Sequence, residues 1–418
     1  MIKDNDDVLK DHNRIISDGD RTISENNQTI KEDSHLIKDE IHAIKDGNQT
    51  IKDGNQAIKA GNQTIKDNNQ TVKEGNQTLN DGSQTIKEGN YTMKIRYSQF
   101  DTDSIIEFLV QQYNLKEPVS CRFYDYGMND IYIINAEDDV FYLRISLAGV
   151  HSERDYEQEI EVINTLYENG ISVAAPVRCN DGGFLKRLYA PEGTRYAILF
   201  QEAKNHPSDD TVSSTFQLGT MIAKMHTIAD QKNFSITREP LDLDNLTEKP
   251  LKKLEVFLKN HQEDIEYLKN AARKLSDYIK VNFEYEKPYY GFCHGDIHKG
   301  NVFFEGEKPT IFDFDCMGYG FRIYDVCIYA WNESFENKDY LESEDWKAFL
   351  KGYNSIRQLS DLELSSLSVF IALRELWLLG INADVMNRNA GCCWFNDDYL
   401  KQQIDIFKFW YQRALKVL

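Results

Sequence analysis

From Ile2 to Met93 an aliphatic side chain or Met recurs at every seventh position, by way of Ile16, Ile30, Ile44, Ile58, Val72 and Ile86, and this period limits what the first part of the chain can fold into. A coiled coil shares the period but needs apolar residues at two positions of each heptad. Here the second position is mostly Thr or polar. The best-kept unit, Ile-Lys-Asp-Gly-Asn-Gln-Thr, also places Gly or Asn in each later turn, and a Gly costs a helix about 1 kcal/mol relative to Ala. Asp-Gly-Asn is turn chemistry and Gln-Thr-Ile-Lys suits a short strand, so a small β-solenoid or meander is the other ordered option. One large apolar residue in seven is a thin core for either. The favoured reading of residues 1–92 is a disordered or marginally structured repeat tract.

The same residues contain no Trp, Phe, Pro or Cys and a single Tyr, so the material for a buried core lies beyond them. They carry 12 basic and 17 acidic side chains, or −5 of the chain's −20, which leaves −15 for the remainder. A chain this acidic repels phosphate backbones and anionic lipid, so neither nucleic acid nor membrane is an expected partner, whereas a cationic substrate is compatible. Seven cysteines without disulfide or zinc spacing fit reduced thiols in a cytoplasm. No apolar segment of a signal peptide follows Met1. The most apolar stretch, Ser366 to Ile381, is broken by Arg374 and Glu375 and reads as a core helix rather than a membrane span.

After Met93 the pattern becomes globular. Ser104 to Asn114 reads as an amphipathic helix, and Cys121 to Arg144 as two or three strands turning at Gly127–Asp130 and at Glu137–Asp139. Glu153 to Asn169 has the helical period, with Ile160, Ile163 and Leu166 on one face and Gly170 as its stop. A further strand is expected at Tyr196–Gln201.

The chemical signal lies in His294-Gly-Asp-Ile-His-Lys-Gly-Asn301 and Ile311-Phe-Asp-Phe-Asp315. Phosphoryl transfer needs a carboxylate to orient the attacking hydroxyl, and a carboxylate with a carboxamide to hold magnesium on the phosphates. Asp296, Asn301 and Asp313 supply these residue types in this order. With Phe141–Arg144, Glu159–Val173, Leu218–His226 and Tyr324–Val326, the two motifs make residues 94–418 resemble the aminoglycoside phosphotransferase and choline kinase family, in the branch with type II homoserine kinase and spore-coat kinase-like proteins. The repeat tract has no counterpart there.

The resemblance implies an α+β, two-lobed protein-kinase-like fold: a nucleotide-binding lobe over 93–202 and a mainly helical catalytic and substrate lobe over 203–418. It implies ATP and Mg2+, with Asp296 as catalytic base and Asn301 and Asp313 as metal ligands. Asp315 stands where protein kinases have Gly. Arg144 stands where Lys is usual; it keeps the cation for the phosphates and gains a planar fork, with Glu159 as the expected ion-pair partner and Glu157 and Glu161 as rivals. The turn at Tyr126–Asn129 takes the place of a glycine-rich loop with one Gly, so Gly127 and Asn129 are candidate nucleotide contacts beside a plain β-turn reading. Phe200–Ala203 is placed like the hinge, where backbone groups of Gln201 and Ala203 would meet adenine. The implied acceptor is a small-molecule hydroxyl. A protein Ser/Thr acceptor, or a nucleotide-binding or coat protein without catalysis, are the alternatives. His294 and His226 read as structural histidines, and Asp325 as a buttress of the catalytic loop.

Overall fold

The computed structural model describes residues 85–88, 91–204, 211–388 and 394–418, all within Asp81–Leu418, one of the two units into which the chain divides; the other is Met1–Asn80. The expectation for the repeat tract therefore lies almost wholly outside the described residues. At its end, strand β1 (Thr85–Glu88) pairs antiparallel with β2 (Tyr91–Lys94), Thr85 opposite Lys94, so a hairpin runs across position 92.

Asp101 caps helix α1 (Thr102–Gln112), its carboxylate accepting the amides of Asp103 and Ser104 at 3.1 Å. Strands β3 (Val119–Tyr126), β4 (Asn129–Ala136) and β5 (Asp139–Ser146) follow, turning where the sequence predicts. After helix α2 (Glu153–Glu168) come β6 (Lys186–Ala190) and β7 (Gly193–Gln201), and the five strands form one antiparallel sheet in the order β3-β4-β5-β7-β6. Alternation turns Tyr132, Ile134, Leu143 and Ile145 to one face, where Ile105 and Leu109 of α1 cover them. Ser152 and Asp155 form a capping box at the start of α2, and Gly170, at φ 83°, follows its end.

The larger lobe holds α3 (Val212–Lys232), α4 (Lys249–Leu254), α5 (Gln262–Asn282), α6 (Arg322–Glu333), α7 (Glu344–Asn354), α8 (Asp361–Ser365), α9 (Leu367–Arg388) and α10 (Asp397–Ala414) around one apolar core. Four short strands lie among them: β8 (Tyr290–Cys293), β9 (Val302–Glu305), β10 (Lys308–Ile311) and β11 (Gly318–Phe321). Strand β8 pairs with β11 and β9 with β10. This nesting brings the 294–301 loop beside the 312–317 loop. Ile311 is also tied to the segment after α2, through Ile311 N–H to Ser172 O at 3.0 Å and Ala174 N–H to Ile311 O at 3.1 Å. Helix α9 is the expected core helix, with Val369–Leu373 fully buried. Among the described residues no helix is long and apolar enough to cross a membrane.

Candidate active site

Strand β5 carries Arg144 into the cleft between the lobes, where its guanidinium is almost fully buried under the Phe200 ring, 5.1 Å from the centroid. Its partner is Glu159 of α2, held by two contacts of 2.8 Å, while Glu157 lies on the surface beside Arg154. Glu159 takes a second arginine, Arg238, at 2.7 Å. Burial alone would raise the Glu159 carboxyl, but Arg144 and Arg238 hold it at about 2. Arg238 reaches on to the carbonyls of Phe314 at 2.9 Å and Asp315 at 2.7 Å, so one buried network joins the small-lobe helix to the segment containing Asp313. Nothing in the sequence around Arg238 marks it for this.

Asp313 has φ 63°, the left-handed region that a non-glycine residue occupies at a cost of about 1 kcal/mol or more and keeps only where its surroundings dictate it. The carboxylate is 41 % exposed to the cleft and lies 3.5 Å from Arg144 Nη1. Burial of the cleft floor, then the charges of Asp315, Asp296 and Glu159, push its carboxyl up to about 7 against the pull of Arg144. Asp315 is buried behind it. Its Oδ2 accepts Asn129 Nδ2 at 3.2 Å, and its Oδ1 has no hydrogen-bond partner, with His151 Nε2 at 3.6 Å.

Asp296 lies in the loop after β8. Asn301 Nδ2 donates to its carbonyl at 3.0 Å and to its Oδ2 at 3.1 Å, and Arg374 of α9 forms an ion pair with its Oδ1. Burial opposes ionisation, but Arg374 and then His298 keep this carboxyl well below the usual carboxylate range. The loop itself is fixed from beneath: buried Asp325 accepts the amides of His294 and Gly295, each at 2.7 Å, and contacts His226 Nε2 at 3.0 Å. Burial keeps His294 neutral. Its Nε2 then donates to Phe312 O at 3.1 Å and its Nδ1 accepts the Asp296 amide at 3.2 Å, which links the two motif loops. His294, His226 and Asp325 thus hold the structural places expected of them.

A cavity of about 280 Å³ opens between the lobes. Arg144, Asn301 and Asp313 line it, as do Gln201 and Ala203, and Ile131, Ala174 and Phe303 give it apolar walls. Gln201 has already given its amide to Ala175 O at 2.9 Å. Gly127 and Asn129 are not among the lining residues; the hairpin contributes Tyr124 and Asp125 instead. Asn129 is buried on Asp315, so its side chain serves the floor of the site and not the loop above it. The structure therefore gathers seven of the nine expected site residues at the cleft, Asp296 through its bond to Asn301, and sets Gly127 and Asn129 apart from the cavity wall.

Residues 128–359 match the family model described as "Phosphotransferase enzyme family". An uncharacterised protein of Synechocystis is 32% identical over 69% of this chain and 80% of its own length. The amicoumacin kinase of Bacillus subtilis is 24% identical over 64% of this chain and 81% of that protein. Among solved structures, an amicoumacin kinase in complex with AMP-PNP and Ca2+ superposes with a TM-score of 0.63 at 22% identity, covering 76% of this chain and 95% of that one.

Proposed function

The chain belongs to the phosphotransferase enzyme family, and from that premise we propose that it transfers the γ-phosphoryl group of ATP, with Mg2+, to a hydroxyl of a small molecule in the cytoplasm. One observation carries the reading: Arg144, Asn301 and Asp313 line the same cavity, and Asn301 is bonded to Asp296. The apolar walls suit the adenine ring. With the Gln201 amide already used, backbone hydrogen bonding to the base falls to the residues after it, Ala203 among them.

The residues fit a magnesium ion. Asp313 and the Asn301 Oδ1 are hard oxygen donors, and Asn301 has turned its Nδ2 to Asp296, which leaves Oδ1 for a metal. An Asp313 carboxyl raised first by burial and then by the charges of Asp315, Asp296 and Glu159, and a buried Asp315 Oδ1 without a hydrogen bond, suit a divalent cation that would offset the clustered carboxylates. When bound, the ion would neutralise charge on the phosphate oxygens. Arg144 supplies a further cation for the phosphates, fixed by Glu159. Asp296 orients the acceptor hydroxyl. Because its carboxylate is a weak base, proton transfer to it comes late, as the new O–P bond forms and the bond from the γ-phosphorus to the leaving oxygen breaks.

The acidic surface is compatible with an amine-bearing acceptor and gives no support to nucleic acid binding. The test is a transfer screen with labelled ATP against aminoglycosides, homoserine, choline and aminosugars, using the wild-type chain and Asp296→Asn. The variant should bind ATP normally and lose turnover by about 10²–10⁴-fold. Undiminished transfer by the variant would remove Asp296 from its role.

A further inference from the structure

Arg374 is a charged residue in the middle of an apolar helix. On α9 it follows the fully buried Val369–Leu373, and its own side chain is 3 % exposed. The guanidinium lies against two indoles, 4.8 Å from the Trp331 centroid and 4.4 Å from that of Trp377. A buried cation is costly unless it is paired. The adjacent Glu375 is not the partner, since it accepts Trp331 Nε1 at 2.8 Å. The charge is instead directed across to the catalytic loop, where Nη1 donates to Gly295 O at 3.3 Å and Nη2 meets Asp296 Oδ1.

Asp296 is therefore held from two sides. Oδ1 is committed to Arg374, while Oδ2 accepts Asn301 Nδ2 at 3.1 Å and has His298 Nε2 at 3.5 Å. A carboxylate offers about two lone-pair sites on each oxygen, so beside Asn301 the second site on Oδ2 is open to a donor that approaches nearer than His298 at 3.5 Å. We propose that Arg374 is a positioning residue of the phosphoryl transfer: it clamps Oδ1 of Asp296 so that Oδ2 is presented to the acceptor hydroxyl. This rests on the phosphotransferase role given to Asp296 above. The planar fork matters, because it spans Gly295 O and Asp296 Oδ1 together while its Cζ stays within 5 Å of both indole centroids, which a lysine ammonium does not do. Arg374 does not line the nucleotide cavity, so its influence should fall on kcat and not on ATP affinity.

The experiment uses the full chain as wild type, Arg374→Met, Arg374→Lys and Asp296→Asn. Binding is read with a fluorescent methylanthraniloyl-ATP plus magnesium, turnover as Mg-ATP hydrolysis with water as the acceptor, and the clamp as the 15N resonance of the Arg374 guanidinium. In R374M the hydrolysis kcat should fall by about 10–10²-fold, the order expected for a misplaced catalytic group, with the ATP KM and analogue Kd unchanged within about twofold. R374K should recover part of the loss. The wild-type guanidinium resonance should be in slow exchange and lose that protection in D296N. If R374M does not fold, R374K against wild type and the guanidinium signal still decide the matter. R374M with wild-type kcat, a joint loss of kcat and affinity without recovery in R374K, or a guanidinium signal indifferent to D296N overturns the clamp alone. A wild-type chain that neither binds the analogue nor hydrolyses ATP overturns the phosphotransferase reading and the clamp with it.

Discussion

Glu375 shows how far a neighbour of the site departs from ordinary titration. It is fully buried, Trp331 gives it a hydrogen bond, and its Oε1 has none. Burial pushes the carboxyl up to about 7, against smaller opposing effects of Trp331 and Arg374, whereas an unfolded Glu titrates near 4.5. Between these values the folded chain binds more protons at this residue than the unfolded chain does. Its contribution to stability is therefore complete below about pH 4.5, declines as the pH rises, and is gone above about 7. The change is on the order of 3 kcal/mol. Glu375→Gln copies the neutral acid and should remove the dependence. The unfolding free energy of E375Q minus that of wild type, from urea titrations at several pH values, should climb between pH 4.5 and 7 and then level off. A pH-independent difference would contradict the burial argument. Asp296, Asn301 and Asp313 could be singled out in the sequence because the resemblance that implies their proposed roles rests on local spacing on two short loops. Arg374 and Glu375 were visible only as interruptions of an apolar run; the partner that gives Arg374 its meaning lies 78 residues away, and no local pattern records that distance.

At the scale of elements, helices α3 and α7 meet through glycines. A Cβ at Gly219 would stand 2.1 Å from Phe349 O, and one at Gly352 would stand 2.0 Å from Phe216 O. Both obstacles are backbone, which cannot rotate away. Thr220 Oγ1 completes the seam, donating to Gly352 O at 3.2 Å and to Phe216 O at 3.0 Å. The same two helices carry His226 and Tyr353, which are hydrogen-bonded to each other at 2.9 Å beneath Asp325 and the catalytic loop. Gly219→Ala or Gly352→Ala should thus cost about 2–3 kcal/mol by forcing the helices apart, and should lower turnover through the displaced loop. The double variant should lose less than the sum, since both substitutions open one gap. Thermal unfolding of the three variants tests this, and an alanine tolerated within about 0.5 kcal/mol would refute the close approach. Strands β3 to β5 and helix α2 were legible beforehand because alternation, turn residues and a 3.6-residue period act within one segment. The α3–α7 seam was not, because a glycine inside a helix looks the same whether it meets solvent or a carbonyl.

For the whole molecule the open question is where the working protein begins. Every residue assigned to the proposed site lies within 124–374, and the chain is anchored to the small lobe from Tyr97 onward. Tyr97 Oη donates to Asp130 Oδ1 at 2.7 Å, Ser98 Oγ to Glu192 Oε2 at 2.8 Å, and Arg195 Nη1 to Ser98 O at 2.7 Å. Arg195 is itself fully buried on Asp130, so the 97–100 strap satisfies a charge network inside the lobe. The β1–β2 hairpin forms a sheet of its own and adds no strand to the five-stranded sheet. Loss of residues 1–92 should therefore leave the strap and the five-stranded sheet in place, whereas loss of residues 1–101 should strip the strap and the α1 cap together. A chain starting at Met93 is expected to melt and to bind Mg-ATP as the full chain does; one starting at Thr102 should lose about 3 kcal/mol, from the missing cap and from Arg195 Nη1 and Asp130 Oδ1 left without their strap partners. Thermal unfolding of both chains with and without Mg-ATP separates these outcomes. A lower melting temperature for the Met93 chain would place the start of the folded protein nearer Asp81 and give the hairpin a stabilising role; equal melting of the two shortened chains would mean that Arg195 finds its partners without the strap.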